Sequence, residues 1–188
     1  MSLTVKDIVE SCANDTVAIR TLEASVEAQA VGGGNYDFEA NKYLLKLYAC
    51  FPETQNVDKI VAVNVLAMMK LPAKDLLAVH LMIPPALESN AKLQVVNECI
   101  KALESGQFKK FWDEKNGPAA SGLFTVSGFD DAIRSFIFGN LCDSFRSIKV
   151  SKFMTNLNLQ TSAEYESFCH RNRSAIASVI FFVLVNYL

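Results

Sequence analysis

A mostly α fold is what this sequence predicts, with material for a short sheet only at its C-terminal end. Three observations carry that reading. Apolar residues recur at helical spacing in nearly every segment up to residue 170. Prolines and glycines interrupt the pattern at intervals of 10 to 20 residues, which sets the helix lengths. Only Ile176 to Val185 crowds β-branched and aromatic residues into an extended rhythm.

The clearest element is YDFEANKYLLKLYACF, residues 36–51. Ala40, Tyr43, Leu44, Leu47, Tyr48 and Phe51 fall on one stripe of a 3.6-residue helix, and such a stripe must be buried. Asn35 or Asp37 can cap its first turn, Glu39 complements the positive helix start, and Pro52 cannot continue it. Before it, Val5, Ile8, Val9 and Cys12 predict one helix. Ile19, Leu22, Val26 and Ala30 predict a second that stops at Gly32-Gly33-Gly34. The triple glycine is not a phosphate loop, because no Lys-Ser or Lys-Thr follows it and helical spacing flanks it on both sides.

Val57, Ile60, Val61, Val65, Met68 and Met69 populate a helix apolar on most of its circumference, which places it centrally against at least two neighbours. A short helix over 73–83 is cut by Pro84-Pro85. Leu93, Val96, Ile100 and Leu103 carry a longer one to Gly106. Phe108, Phe111 and Trp112 then form an aromatic plug at the end of the array. Short breaks between such helices describe antiparallel helix pairs of the HEAT-like kind over residues 1–120, without a fixed-period repeat in the letters.

The passage NGPAASG, residues 116–122, is the linker-like boundary. Beyond it Ser127 can cap a helix whose stripe runs through Phe129, Ile133, Phe136, Ile137, Leu141, Phe145 and Ile148. Val150, Phe153, Met154 and Leu157 mark a second. Thr161 or Ser162 starts a third, with Glu164 completing a partial capping box and Phe168 and Cys169 facing inward. Three helices followed by strand material is the order of a winged-helix module, here residues 121–188. The terminal run can equally be read as a helix, since periodicity does not separate the two over so short a length.

Three blocks of residues resemble one family. They are Leu22-Glu23, Val26-Glu27 and Gln29-Ala30 leading into Tyr36-Asp37, Glu39-Ala40-Asn41 and Leu44 to Tyr48; the Leu103-Glu104 and Phe108, Phe111, Trp112 pattern; and Gly128 to Asp131 with Arg134, Phe136 and Ile137. Together they resemble the subunit K family of eukaryotic translation initiation factor 3. The resemblance implies a helical-repeat plus winged-helix build (PCI-like), related to the scaffolding subunits of the proteasome lid and signalosome. It implies partnership with the other initiation factor 3 subunits, subunit L above all, and contact with the small (40S) ribosomal subunit through that complex. It covers about residues 20–140. Family members usually continue into a further helical tail where this sequence ends at Leu188, so the terminal run would have to carry more of the partner contact.

Composition excludes several classes of function. Half the residues are hydrophobic (51%) and 20% are charged, which rules out disorder, and a formal charge of −2 exerts no general pull on nucleic acid. Five scattered cysteines without a CxxC pair read as reduced, buried small hydrophobes of a cytoplasmic protein. No signal core is visible at the N-terminus, and the 11-residue apolar run from Ala175 to Val185 falls short of the ~20 residues that span a bilayer, so no membrane is expected. His80 reads as a core or boundary residue, and Cys169-His170 adjacency places the two on different helix faces. With no convergent acid–base set and no metal-ligand spacing, the sequence predicts no enzyme, no cofactor and no small-molecule substrate.

Two binding surfaces remain. Ile180, Phe182 and Leu184 share one face of the extended terminal run, and both faces of that run are apolar. It is read either as a central strand covered within its own domain or as an edge that meets a partner subunit. Lys149, Lys152, Arg171 and Arg173 are the candidate RNA contacts of a winged helix. Residues 129–188 hold six basic and five acidic side chains, so RNA contact would have to be local. The expected function is a non-catalytic interaction scaffold of translation initiation factor 3. The alternatives are an RNA-binding winged-helix regulator or a scaffold subunit of a proteasome-lid or signalosome-type complex.

Overall fold

The computed structural model describes residues 16–172. The expected helix over Val5 to Cys12 and the terminal run with Ile180, Phe182 and Leu184 lie outside the described residues, as does Arg173. Within them the chain forms nine α-helices, three short 3-10 turns and no strand.

Helix α1 (Thr16–Ala30) buries Ile19, Leu22 and Val26, and it unwinds at Gly32, whose φ of 78° is the left-handed conformation that glycine adopts without strain. Helix α2 (Phe38–Cys50) starts where Asp37 accepts the Ala40 N–H, and its last turn closes at Phe51 before Pro52. Of the two candidate caps it is therefore Asp37 that acts. The expected stripe is buried at Ala40, Leu44, Leu47 and Tyr48, while Tyr43 and Phe51 are half-buried. Between α1 and α2 lies a polar clasp absent from the sequence reading. The Gln29 and Asn41 side-chain amides exchange hydrogen bonds at 3.1 and 3.0 Å, and Gln29 also accepts the Asp37 N–H. Both amides are buried, and each covers the other's donors and acceptors.

Helix α3 (Val57–Met68), capped by Asn56, is the centre of the molecule: eight of its twelve residues are buried. It packs against α1, α4 (Asp75–Leu81) and α5 (Ala91–Glu104), while α2 packs on α4. Alternate helices thus lie side by side, so each apolar stripe is covered by two neighbours rather than one. Helix α6 (Phe108–Lys115) folds back onto α5 and buries Phe108, Phe111 and Trp112 as the aromatic plug.

Beyond 116–122 come α7 (Phe129–Ser144), α8 (Val150–Leu157) and α9 (Ser162–Arg171). Helix α7 touches α3, and α8 packs on both α6 and α7. One continuous apolar core runs from Ala18 to Phe168 across the linker-like passage. Two expectations for this region are corrected. Ser127 does not cap α7: the cap position is Gly128, at φ 74°, and Ser127 instead donates its backbone N–H to the Ala30 carbonyl at the end of α1. Nor does α7 reach Ile148. It ends at Ser144, Phe145 turns extended (φ −124°, ψ 129°), and Ile148 reaches the core from the connecting loop, so a helical apolar pattern is satisfied here by a turn.

Two further residue expectations are overturned by tertiary placement. His80 is exposed on the outer side of α4, and so are its neighbours Leu77 and Leu81, because the short α4 buries only Leu76 and Val79. Of the four described cysteines only Cys99 is fully buried; Cys142 and Cys169 are half-buried and Cys50 is exposed.

Candidate interaction surface

The end of α8 is tied to α6 by Trp112. Its indole N–H donates to the Asn156 carbonyl at 2.9 Å, and the Arg134 Nε–H donates to the next carbonyl, Leu157, at 3.1 Å. The last carbonyls of a helix have no partner within it, so these two side chains serve the end of α8 from outside. Asn158 follows in the left-handed conformation (φ 53°) and closes the turn. The Lys115 ammonium and the Arg134 guanidinium both lie over the Trp112 ring, at 5.8 and 5.6 Å, and Lys115 pairs with Asp130 at the start of α7 at 2.8 Å. Residues from both sides of the linker-like passage meet at this one ring.

Helix α9 is held by edge-on aromatic packing. Phe168 meets Phe138 at 5.5 Å and Phe153 at 6.1 Å, and Tyr165 meets Phe153 at 6.0 Å. Thr161 caps α9 by accepting the Glu164 N–H. The Glu164 carboxylate returns to the Gln160 N–H, one residue earlier than a capping box requires. Burial pushes the Tyr165 phenol up to about 12, with its hydrogen bond to Cys169 adding to the effect, and burial raises the Cys169 and Cys142 thiols as well.

Two open grooves flank these helices. One of about 330 Å³ is lined by Arg134, Leu159, Glu164, Ser167, Phe168 and Arg171. The other, about 430 Å³, lies between α6 and α8 and is lined by Lys109, Trp112, Asp113, Met154 and Thr155 among others. No group of three His, Cys, Asp or Glu among the described residues could hold a metal ion.

The candidate RNA contacts do not form one cluster. Lys149 and Lys152 are exposed one turn apart at the start of α8, whereas Arg171 lines the smaller groove opposite Glu164. The residues that join Lys149 and Lys152 are Arg146 and Phe145. Phe145, expected on a buried helical stripe, is 38% exposed, with the Lys152 ammonium 5.8 Å from its ring.

Comparison with known proteins decides the family. Residues 56–174 match the family described as CSN8/PSMD8/EIF3K. The chain belongs to it. The CSN8/PSMD8/EIF3K match takes in α3 through α9, so it includes the Trp112 junction, both grooves and the segment from Phe145 to Lys152. Individual relatives extend the likeness toward α1. A Drosophila erecta protein named eukaryotic translation initiation factor 3 subunit K is 28% identical over 155 residues, which span 82% of this chain and 68% of that protein. A Dictyostelium discoideum protein of the same name is 31% identical over 140 residues, 74% of this chain and 56% of its own length.

Proposed function

We propose that the chain is a non-catalytic subunit of translation initiation factor 3, acting in the cytoplasm as a protein–protein interaction scaffold with subunit L as a direct partner and the small ribosomal subunit reached through the complex. The observation that carries the proposal is the family match over α3 to α9, together with relatives from a fly and an amoeba that bear the same subunit K name. The fold is in keeping with such a role. Most of its apolar residues are spent on one core, while Leu77, Leu81 and Phe145 stay exposed. In this reading residues 1–120 form a HEAT-like repeat, residues 121–188 a winged-helix (PCI-like) module, and Ile180, Phe182 and Leu184 contact the partner subunit.

The test is to recover the tagged protein from cytosol, wash at high salt and identify what stays bound by mass spectrometry. Other initiation factor 3 subunits, subunit L among them, are the expected companions, and Phe182→Asp should release the partner while circular dichroism stays helical. Because the family description joins three subunit names, a second reading keeps its place: recovery of proteasome-lid or signalosome subunits instead would move the chain to one of those related assemblies.

A further inference from the structure

Half of the cations of the described residues are neutralised where they stand. Lys59 pairs with Glu27, Lys92 with Asp58, Lys109 with Asp113, and Lys115 with Asp130. The stretch from Phe145 to Lys152 is different. It presents Arg146, Lys149 and Lys152, all exposed, and among the described residues none of the three has a carboxylate within ion-pair distance. Three uncompensated positive charges within seven residues form a local patch on a chain whose formal charge is −2.

The same stretch exposes a large aromatic. Phe145 lies where α7 has ended, its backbone extended and its N–H returned to the Leu141 carbonyl. Ile148, buried three residues later, pins the loop to the core, so Phe145 is held outward by a fixed backbone and not by a loose end. Lys152 stands over its ring. Cations beside a presented ring offer two things together, a track for phosphates and a flat apolar face for a base.

We infer that Phe145, Arg146, Lys149 and Lys152 form a binding site for single-stranded RNA, with the three cations on successive phosphates and a base stacked on Phe145. A duplex would leave the ring idle, because its bases are already stacked on one another. An acidic protein segment would use the cations and leave the ring idle as well. The site rests on this patch alone and not on the subunit assignment, so co-purification of partner subunits and RNA binding succeed or fail separately.

Salt dependence supplies the magnitude. Three phosphates neutralised on a single strand give a slope of about −2 in log K against log salt, so affinity should fall about 20-fold between 50 and 200 mM salt. The experiment is fluorescence anisotropy of the full chain with a labelled oligouridylate of about 12 nucleotides. Binding at 50 mM salt with that slope is expected, lost in Lys149→Glu/Lys152→Glu and weakened about fivefold or more in Phe145→Leu, which keeps an apolar side chain and removes the ring. Lys46→Glu/Lys74→Glu removes two exposed cations elsewhere and should leave binding unchanged. All variants alter exposed residues, and circular dichroism checks that they fold. A flat titration at 50 mM salt overturns the inference, as does equal loss in the Lys46/Lys74 pair, competition by polyglutamate as effective as by RNA, or binding unchanged in the Lys149/Lys152 variant.

Discussion

Replacing Trp112 by phenylalanine should lower stability by about 2 kcal/mol, a number that follows from one hydrogen bond. The indole N–H is the donor that the Asn156 carbonyl receives from outside α8, and the ring itself is 2% exposed. Phenylalanine keeps most of the ring's packing against Phe111, 5.0 Å away, but leaves a carbonyl without its donor, which costs about 1 to 3 kcal/mol. With a urea m-value of about 2 kcal/mol/M, the midpoint should drop by about 1 M, read by circular dichroism because the substitution removes the single tryptophan. Alanine, which also empties the pocket, should cost about 3 to 5 kcal/mol. Arg134→Met tests the neighbouring carbonyl. The double variant should show a coupling of about 0.5 to 1 kcal/mol, since the guanidinium also lies over the ring. A Trp112→Phe protein within about 0.5 kcal/mol of the parent would refute the account of how α8 is terminated.

Other outcomes follow from single positions. Cys50 should react with a thiol reagent in the native protein at pH 8, while Cys99, fully buried and with its thiol pushed up to about 12 chiefly by that burial, should react only in denaturant; Cys50→Ser should remove one equivalent of the fast reaction. Gly139 lies inside α7 with nothing within 4 Å of an added Cβ, so Gly139→Ala should raise the urea midpoint by the equivalent of about 0.5 to 1 kcal/mol. Gly128 has equal room but a φ of 74°, so Gly128→Ala should lower it by about 1 kcal/mol, from backbone strain alone. Burial, then the hydrogen bond to Glu23 and the charge of that carboxylate, hold the Tyr48 phenol well above its ordinary value. The stability this contributes is fully present below pH 10 and is lost as pH rises beyond it, so Tyr48→Phe should flatten the alkaline limb of a stability-against-pH curve.

Helical positions were legible wherever the signal was local. Asp37, one of the two caps the sequence offers for α2, accepts a free N–H of its first turn, and the glycine at 106 stops α5 as its composition suggests, whereas the caps Asn56 and Asn90 emerge only from the fold. Ser127 does not cap α7 because the helix begins one residue later, after Gly128, and its backbone N–H instead bonds Ala30, almost a hundred positions earlier in the chain, a contact that no local rule carries. Phe145 and Ile148 fitted the α7 stripe by spacing, yet a buried residue can arrive from a loop as well as from a helix, and only the fold distinguishes them. His80 and Cys50 show the same limit from the other side. Their neighbours in sequence are apolar, but α4 is too short to be covered all round and Cys50 sits at the free end of α2. At the candidate surface the basic residues were visible as letters. That Arg146, Lys149 and Lys152 have no carboxylate within ion-pair distance among the described residues, and that Trp112 seeks a backbone acceptor 44 residues away, are facts of the folded chain only.

The ring of Trp112 also bears on how the polypeptide would tolerate being cut. Cleavage anywhere in the exposed stretch around Ser121 would leave the indole on one fragment and its acceptor on the other, with Lys115 and Asp130 divided in the same way. Such a nicked protein should migrate as one particle until denaturant is added, and the two separately produced pieces should find each other and regain activity of binding as a complemented pair.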